Sequence, residues 1–403
     1  MSYSQYNRSN SYSRGPRSYN SRPSGNRSAS RMPKKDYINP SRFVQSAKPV
    51  VKGEEYVPTH KFADFAVNDL IKTNLIAKGY ETPSPIQDQT IPIGLEGKDV
   101  VGIANTGTGK TAAFAIPLLN QLMTNRDKFA LIMAPTRELA LQIEEQCKSI
   151  AKGSGIKGAI LIGGVSMGPQ LRDLRANPQI VIGTPGRIKD HTEQGTLQLA
   201  KFNIIVLDEV DRMLDMGFIN DIRHILGLTA PTKQSFFFSA TLDSRVRTVI
   251  DSFSHDPVHI MVKTGETSDN VDQNVVTYAG SGEKITKLHD LLIQKDVVKA
   301  LVFDDTHRSV ERLTKELQSR GFESDAIHGG KSQGQRQRAL AKFKDNQINV
   351  LVATDVAARG IDVSDITHVI NYSTPKSYDD YVHRIGRAGR AGQLGYALTF
   401  IEK

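Results

Sequence analysis

From about residue 60 the chain is written as short apolar runs separated by longer, helix-like stretches. "FALIMAP" (129–135), "GAILIGG" (158–164), "QIVIGTP" (179–185), "NIIVLDE" (203–209) and "SFFFSAT" (235–241) are continuous rather than alternating in character. Such runs predict strands covered on both faces, as in parallel sheets. Between several of them lie segments such as "RELALQIEEQCKSIA" (137–151). The alternation predicts parallel strands joined by helical crossovers, an α/β arrangement. The polar stretch "VKTGETSDNVDQN" (262–274) interrupts the series, and a second begins with "ALVFDD" (300–305), "INVLVATD" (348–355), "THVINYS" (367–373) and "YALTFIE" (396–402). The expected plan is two α/β domains, 59–262 and 275–403, joined by a linker at 263–274. They share a layout but no sequence repeat.

Residues 1–58 do not follow this pattern. "MSYSQYNRSNSYSRGPRSYNSRPSGNRSASR" has almost no aliphatic side chains, so it cannot bury enough apolar area to offset its ordering entropy, and the segment 1–58 reads as a disordered tail. Residues 1–35 hold eight Arg and Lys and no acid; the net charge of +9 therefore leaves about +1 (9 minus 8) for the rest of the chain. Interleaved Arg and Tyr suit phosphates and unpaired bases. A solubilising tail is the bland alternative, and an organellar transit peptide a third, although no apolar face is available for its helix.

Composition excludes several classes. With one cysteine, Cys147, there is no intramolecular disulfide and no cysteine-based metal cluster. No apolar run approaches the ~18–20 residues of a membrane-spanning helix, and no apolar N-terminal segment suggests secretion. A reducing, cytoplasmic location is the expectation.

Two stretches carry chemistry. "VVGIANTGTGKTAAF" (100–114) approximates G-x-x-x-x-G-K-[ST], with Ala104 in place of the first glycine. Asn105, Thr106, Gly107, Thr108 and Gly109 would wrap phosphate oxygens in backbone N–H groups at a helix N-terminus. Lys110 would reach the β- and γ-phosphates and Thr111 would place its hydroxyl on Mg²⁺. About 95 residues later, the apolar strand 204–207 ends in Asp208 and Glu209, with Asp211 following. Ionised carboxylates gathered at a buried strand end need a cation or hydrogen-bond donors. Asp208 could merely cap the next helix. Beside a phosphate loop, the better reading is that Asp208 holds Mg²⁺ and Glu209 orients and polarises a water. Together they predict a nucleoside triphosphatase.

The chain resembles the DEAD-box RNA helicases over about residues 62–402, on motifs that occur in the family's order. They are "GYETPSPIQ" (79–87), "ANTGTGKT" (104–111), "PTRELA" (135–140), "GG" (163–164), "TPGR" (184–187), "DEVD" (208–211), "SAT" (239–241), "QGQR" (333–336), "ATDVAARGIDV" (353–363) and "HRIGRAGR" (383–390). The resemblance implies two tandem RecA-like domains, each a mostly parallel sheet with helices on both faces. It implies that Gln87 reads the adenine edge and Phe62 stacks on the base, favouring ATP, and that Asp362 contacts the ribose. Arg387 and Arg390 look like arginine fingers, and His383 like a residue coupling domain closure to the acidic motif. Pro135, Thr136, Arg137, Gly164, Thr184, Arg187 and Thr354 resemble positions that track the RNA sugar–phosphate backbone. Asp211, Ser239 and Thr241 resemble the residues linking hydrolysis to strand separation.

Two positions depart from the family pattern: Val210 stands where the family has alanine, and Ala388 where threonine is common between the arginines. Many relatives continue past the strand 396–402 into a further helix, so the second domain is expected to be short of a packing element. The leading expectation is an ATP-dependent helicase opening short RNA duplexes. An ATP-gated RNA clamp or annealing protein, supported by the basic tail, is the alternative, and a DNA translocase a weaker third. The backbone-reading residues are indifferent to base identity, so the RNA target is not legible.

Overall fold

Phe236, Phe237 and Phe238 are consecutive in sequence yet divide between two cores: the outer two belong to one apolar layer and Phe237 to the other. A strand's alternation sends neighbours to opposite faces, so this sheet is covered on both sides. The computed structural model describes residues 38–47, 56–105, 107–262, 270–358, 361, 363, 365–389 and 393–403.

Seven strands form the first sheet: β1 (Val100–Ile103), β2 (Ala130–Met133), β3 (Gly158–Leu161), β4 (Ile180–Gly183), β5 (Ile204–Leu207), β6 (Gln234–Ser239) and β7 (Val258–Met261). Their order is β3-β4-β2-β5-β6-β1-β7, and every pairing is parallel. The second sheet contains β8 (Val271–Tyr278), β9 (Ala300–Phe303), β10 (Ser324–Ile327), β11 (Val350–Ala353), β12 (His368–Asn371) and β13 (Gly395–Glu402). Its order is β10-β11-β9-β12-β13-β8, again parallel throughout. In the first sheet β6 lies between β5 and β1, so the loops leaving β1, β5 and β6 emerge side by side. Ligands of open parallel sheets bind at these carboxyl ends.

Two boundaries differ from the sequence reading. β8 starts at Val271, inside the stretch 263–274 read as linker. Val271 and Gln273 are buried while Asp272 and Asn274 are not; an edge strand needs only this alternation, and its polar positions disguised it. The tail reading of 1–58 also extends too far. Residues Pro40–Phe43 form a 3₁₀ turn, started by the Asn39 side chain accepting from Ser41 N at 3.0 Å, and Phe43 is fully buried. Tyr56, Thr59 and His60 are bonded to Asp88. Ile38 and Phe43 supply apolar contacts in this stretch, packing with Val271, Tyr381 and Ile385. Residues 1–37, most of the linker (263–269), and the predicted site residues Thr106, Asp362 and Arg390 lie outside the described residues. Among the described residues no helix is long and apolar enough to cross a membrane.

Candidate functional site

The loop after β1 ends at Gly109, whose φ of 91° is left-handed, and the helix Lys110–Thr124 starts from it. A side chain there would be strained and would collide with the Gln87 amide, so the position requires glycine. Gly107 is also left-handed at φ 84°. Lys110 is buried and folds back onto the loop, its Nζ 2.8 Å from Ala104 O. Ala104 N in turn donates to Ser239 O at 3.1 Å, tying the loop to the end of β6. Thr108 Oγ1 donates to Asn105 O at 2.8 Å, closing the turn from within. Thr111 follows Lys110 in the first turn of the helix.

The helix Pro85–Leu95 braces this loop. Ser84 Oγ donates to Thr108 O at 2.7 Å and Gln87 Nε2 to Gly109 O at 3.1 Å, while Gln87 Oε1 accepts from Ser84 N at 2.9 Å. The Gln87 amide thus touches the phosphate loop directly and keeps one N–H and one lone pair for a ligand. Phe62 is 2% exposed, with Tyr80 and Phe65 edge-on to it at ring-centroid distances of 5.1 and 5.8 Å. The ring belongs to the apolar layer of the first domain that also holds Phe65 and Ile86.

At the end of β5 the acids separate by environment. Burial pushes the Asp208 carboxyl up to about 7, against the pull of Lys110 and with Glu209 and Asp211 adding repulsion. Burial also opposes ionisation of Glu209, but Arg212, Arg387 and Lys110 outweigh it and hold Glu209 below the usual carboxylate range. Arg212 Nη1 lies 2.7 Å from Glu209 Oε2, both side chains buried. Glu209 itself has φ 53°, a left-handed conformation rare outside glycine, which turns its side chain at the strand-to-helix junction. Asp211 Oδ2 accepts from Ala240 N (3.0 Å), Thr241 N (3.1 Å) and Thr241 Oγ1 (3.3 Å), and Asp211 N points at Ser239 Oγ at 3.4 Å. The acidic motif and the Ser-Ala-Thr segment are therefore one hydrogen-bonded unit. Val210 is fully buried in the apolar layer beneath.

The second domain meets this site. Arg387 is 2% exposed, donates to Ile361 O at 2.9 Å, and acts electrostatically on Glu209. It follows the helix Tyr378–Ile385, which carries His383. Beside His383, the buried Arg384 grips Asp355 through two nitrogens and reaches Asn371 Oδ1 and Ser373 O. His383, Arg384, Arg387 and Asp355 line one small cavity. Ala388 is fully buried, where a threonine hydroxyl would need a partner.

A groove of about 380 Å³ runs past Pro135, Thr136, Arg137, Thr184 and Arg187 from the first domain and Gly329, Arg336 and Val356 from the second. Thr136 Oγ1 caps the helix Arg137–Ile150. Arg137 lies against Gly163 and Gly164; at Gly164, φ 73°, any side chain would strike its guanidinium. Thr354 is buried at the end of β11, its hydroxyl without a partner among the described residues. Across the groove, Glu138 accepts from Arg336 Nη2 at 2.7 Å and from Gln333 Nε2 at 3.1 Å, all three buried. Sequence reasoning passed over Glu138, Arg212, Arg336 and Arg384. Glu138 and Arg336 stood inside quoted motifs, but nothing in their spacing paired residues 198 positions apart.

The DEAD/DEAH box helicase profile matches residues 84–249, and the helicase conserved C-terminal domain profile matches 283–392. The ATP-dependent RNA helicase CshA of Listeria monocytogenes is 43% identical over 343 residues, covering 85% of this chain and 66% of that protein. CshA of Limosilactobacillus reuteri is 43% identical over the same length, covering 85% and 69%. The chain belongs to the DEAD-box ATP-dependent RNA helicases. It spans about two-thirds of the length of these relatives. Among solved structures, Mss116p bound to single-stranded RNA and AMP-PNP is 28% identical, covers 86% of the helicase and 76% of its own chain, and has a TM-score of 0.77. A DEAD box protein from Methanococcus jannaschii is 39% identical, with coverage of 86% and 94% and a TM-score of only 0.51. The less similar sequence thus has the more similar overall structure, and the helicase shares the two-domain arrangement of the RNA- and nucleotide-bound enzyme.

Proposed function

We propose that the chain couples RNA-stimulated ATP hydrolysis to local opening of short RNA duplexes in the cytoplasm. The carrying observation is that hydrogen bonds tie the phosphate loop and the acidic strand end to β6 and the Ser-Ala-Thr segment, while the buried Glu138–Arg336 pair joins the second domain to the first. In this reading ATP's phosphates take the place of Ala104 O as the partner of Lys110, and Gln87 senses the base while holding Gly109. Glu209, pinned by Arg212, orients the attacking water. Arg387 stabilises charge on the transferring phosphoryl group, a role typically worth ~10³–10⁵ in rate.

Mg²⁺ fits the donor set. Asp208 is a buried carboxylate whose ionisation wants a cation, Thr111 offers a hydroxyl, and no cluster of three metal-ligating side chains occurs among the described residues. This suits an ion held by one carboxylate and the nucleotide's own phosphates. When bound, it would neutralise charge on the triphosphate. RNA would lie along the groove lined by Arg137, Thr184 and Arg187, held by its backbone. The Asp211 network would carry the state of the triphosphate to Ser239 and Thr241.

Glu209→Gln tests the chemistry: the variant should bind ATP and RNA and not turn over. Full ATPase activity in it would refute the assignment.

A further inference from the structure

Residues 38–47 seat on the back of the helix that leads into Arg387. The helix Tyr378–Ile385 turns Tyr378, Tyr381, Val382 and Ile385 to one side, at helical spacing. Phe43 packs into that side, its ring 4.7 Å from Tyr381, and joins Val271, Ile385 and Ala397 in a separate small core. Arg42 stacks on Tyr378 at 3.7 Å. Gln45 adds an antiparallel bridge to the exposed edge of β8, with Gln45 N to Gln273 O at 3.0 Å and Gln273 N to Gln45 O at 2.8 Å. The Gln273 side chain accepts from the buried Tyr381 hydroxyl at 2.8 Å, so the bridge and the helix share one residue. Gly389, two residues after Arg387, lies against Asn270 and Val271 at the start of the same strand.

We propose that residues 38–47 are a positioning element for the finger helix, with Phe43 as its anchor. Among the described residues, β8 and β13 supply the other apolar contacts of this side of the helix, through Val271, Val275, Ala397 and Ile401. Filling it from the chain's own N-terminal arm fixes the roll of the helix and thereby the reach of Arg387. An arginine acting at a distance is sensitive to such a shift, because misplacement by about 1 Å can cost on the order of a hundredfold in rate. The inference rests on Arg387 acting as the finger.

The test uses the full chain and steady-state RNA-stimulated ATPase, at a temperature well below the melting transition of every variant. Phe43→Ala should lower kcat by about tenfold or more while KM for ATP stays within about twofold. Phe43→Leu should restore at least about half of the rate, since it refills much of the volume. Gln45→Pro removes the N–H donated to Gln273 without touching the small core, and should lower kcat in the same direction. It also carries the test if Phe43→Ala does not fold. An unchanged kcat in both variants, with only a lowered melting temperature, overturns the proposal by leaving the segment merely structural. Arg387→Ala separates the two layers. If it keeps full turnover, the finger assignment itself fails; if it is inactive while Phe43→Ala is fully active, only the positioning inference fails.

Discussion

Asp208 is the residue whose replacement most directly reads the electrostatics of the phosphate site. Its carboxyl is buried and titrates near 7 instead of 3.8. The folded chain therefore holds this proton more tightly than the unfolded chain. The associated stability is complete below about pH 4 and is lost as the pH rises through 7. A shift of about three units corresponds to up to about 4 kcal/mol at pH 8. Asparagine approximates the neutral acid, and its Oδ1 can still accept the Glu209 N–H, now 3.0 Å from Asp208 Oδ1. Asp208→Asn should therefore stabilise the metal- and nucleotide-free first domain at pH 8. At roughly 2–4 °C per kcal/mol for a domain of this size, its melting temperature should rise by up to about 16 °C. The gain should shrink steadily towards pH 4. Scanning calorimetry with a chelator at several pH values measures this. Adding Mg²⁺ and ATP should reverse the order, because the ligand stabilises the wild type by mass action and the variant much less. A variant no more stable than the wild type at pH 8, or a gain indifferent to pH, would refute the reasoning.

Other outcomes follow from the same geometry. Arg212→Ala removes the largest attractive charge on Glu209, so burial dominates and the acid limb of the ATPase pH profile should move to higher pH; an unmoved limb would mean Glu209 is not the group observed. Arg336→Met strands the Glu138 carboxylate at the domain junction. Breaking a buried pair costs about 3–5 kcal/mol, so RNA affinity measured with AMP-PNP should fall by at least on the order of a hundredfold. Deleting residues 1–35 removes eight cations. The slope of log affinity for single-stranded RNA against log salt should become shallower by at most about 6, while RNA-stimulated ATPase survives; loss of all activity would favour the annealing alternative. Burial pushes the Cys147 thiol up to about 12, so a thiol reagent at pH 8 should label it only after denaturation.

Strands at the centre of each sheet were plain in the sequence because burial on both faces demands a continuous apolar run: β2, β4, β5, β6, β9, β11 and β12 all show one. The strands that escaped notice, β7, β8 and β10, sit at sheet edges. One covered face suffices there, and "SDAI" or "VDQNVVTY" carries too few apolar residues to stand out. The phosphate loop and the acids were legible because local spacing builds them. Glu138 with Arg336, and Arg384 with Asp355, were not, because partners 198 and 29 residues apart meet only in the folded chain. Phe43 hid for a simpler reason: one aromatic in a polar stretch has no periodicity to reveal its pocket.

Asp88 gives the short segment before Phe62 a second meaning. It accepts from the Tyr56 hydroxyl, Thr59 N, His60 N and His60 Nδ1, all within 3.1 Å, and so fastens that segment to the first sheet's side of the molecule. Phe43 fastens the preceding segment to the second sheet. The polypeptide consequently crosses between the domains twice, through residues 48–55 and again through 263–269. A second connection bounds how far the two bodies can separate. While Phe43 stays seated, Gln45-side and Tyr56-side anchors can part by no more than about 32 Å, the contour of the Cα steps between residues 47 and 56. Opening of the cleft is thereby capped at that span for as long as both anchors hold.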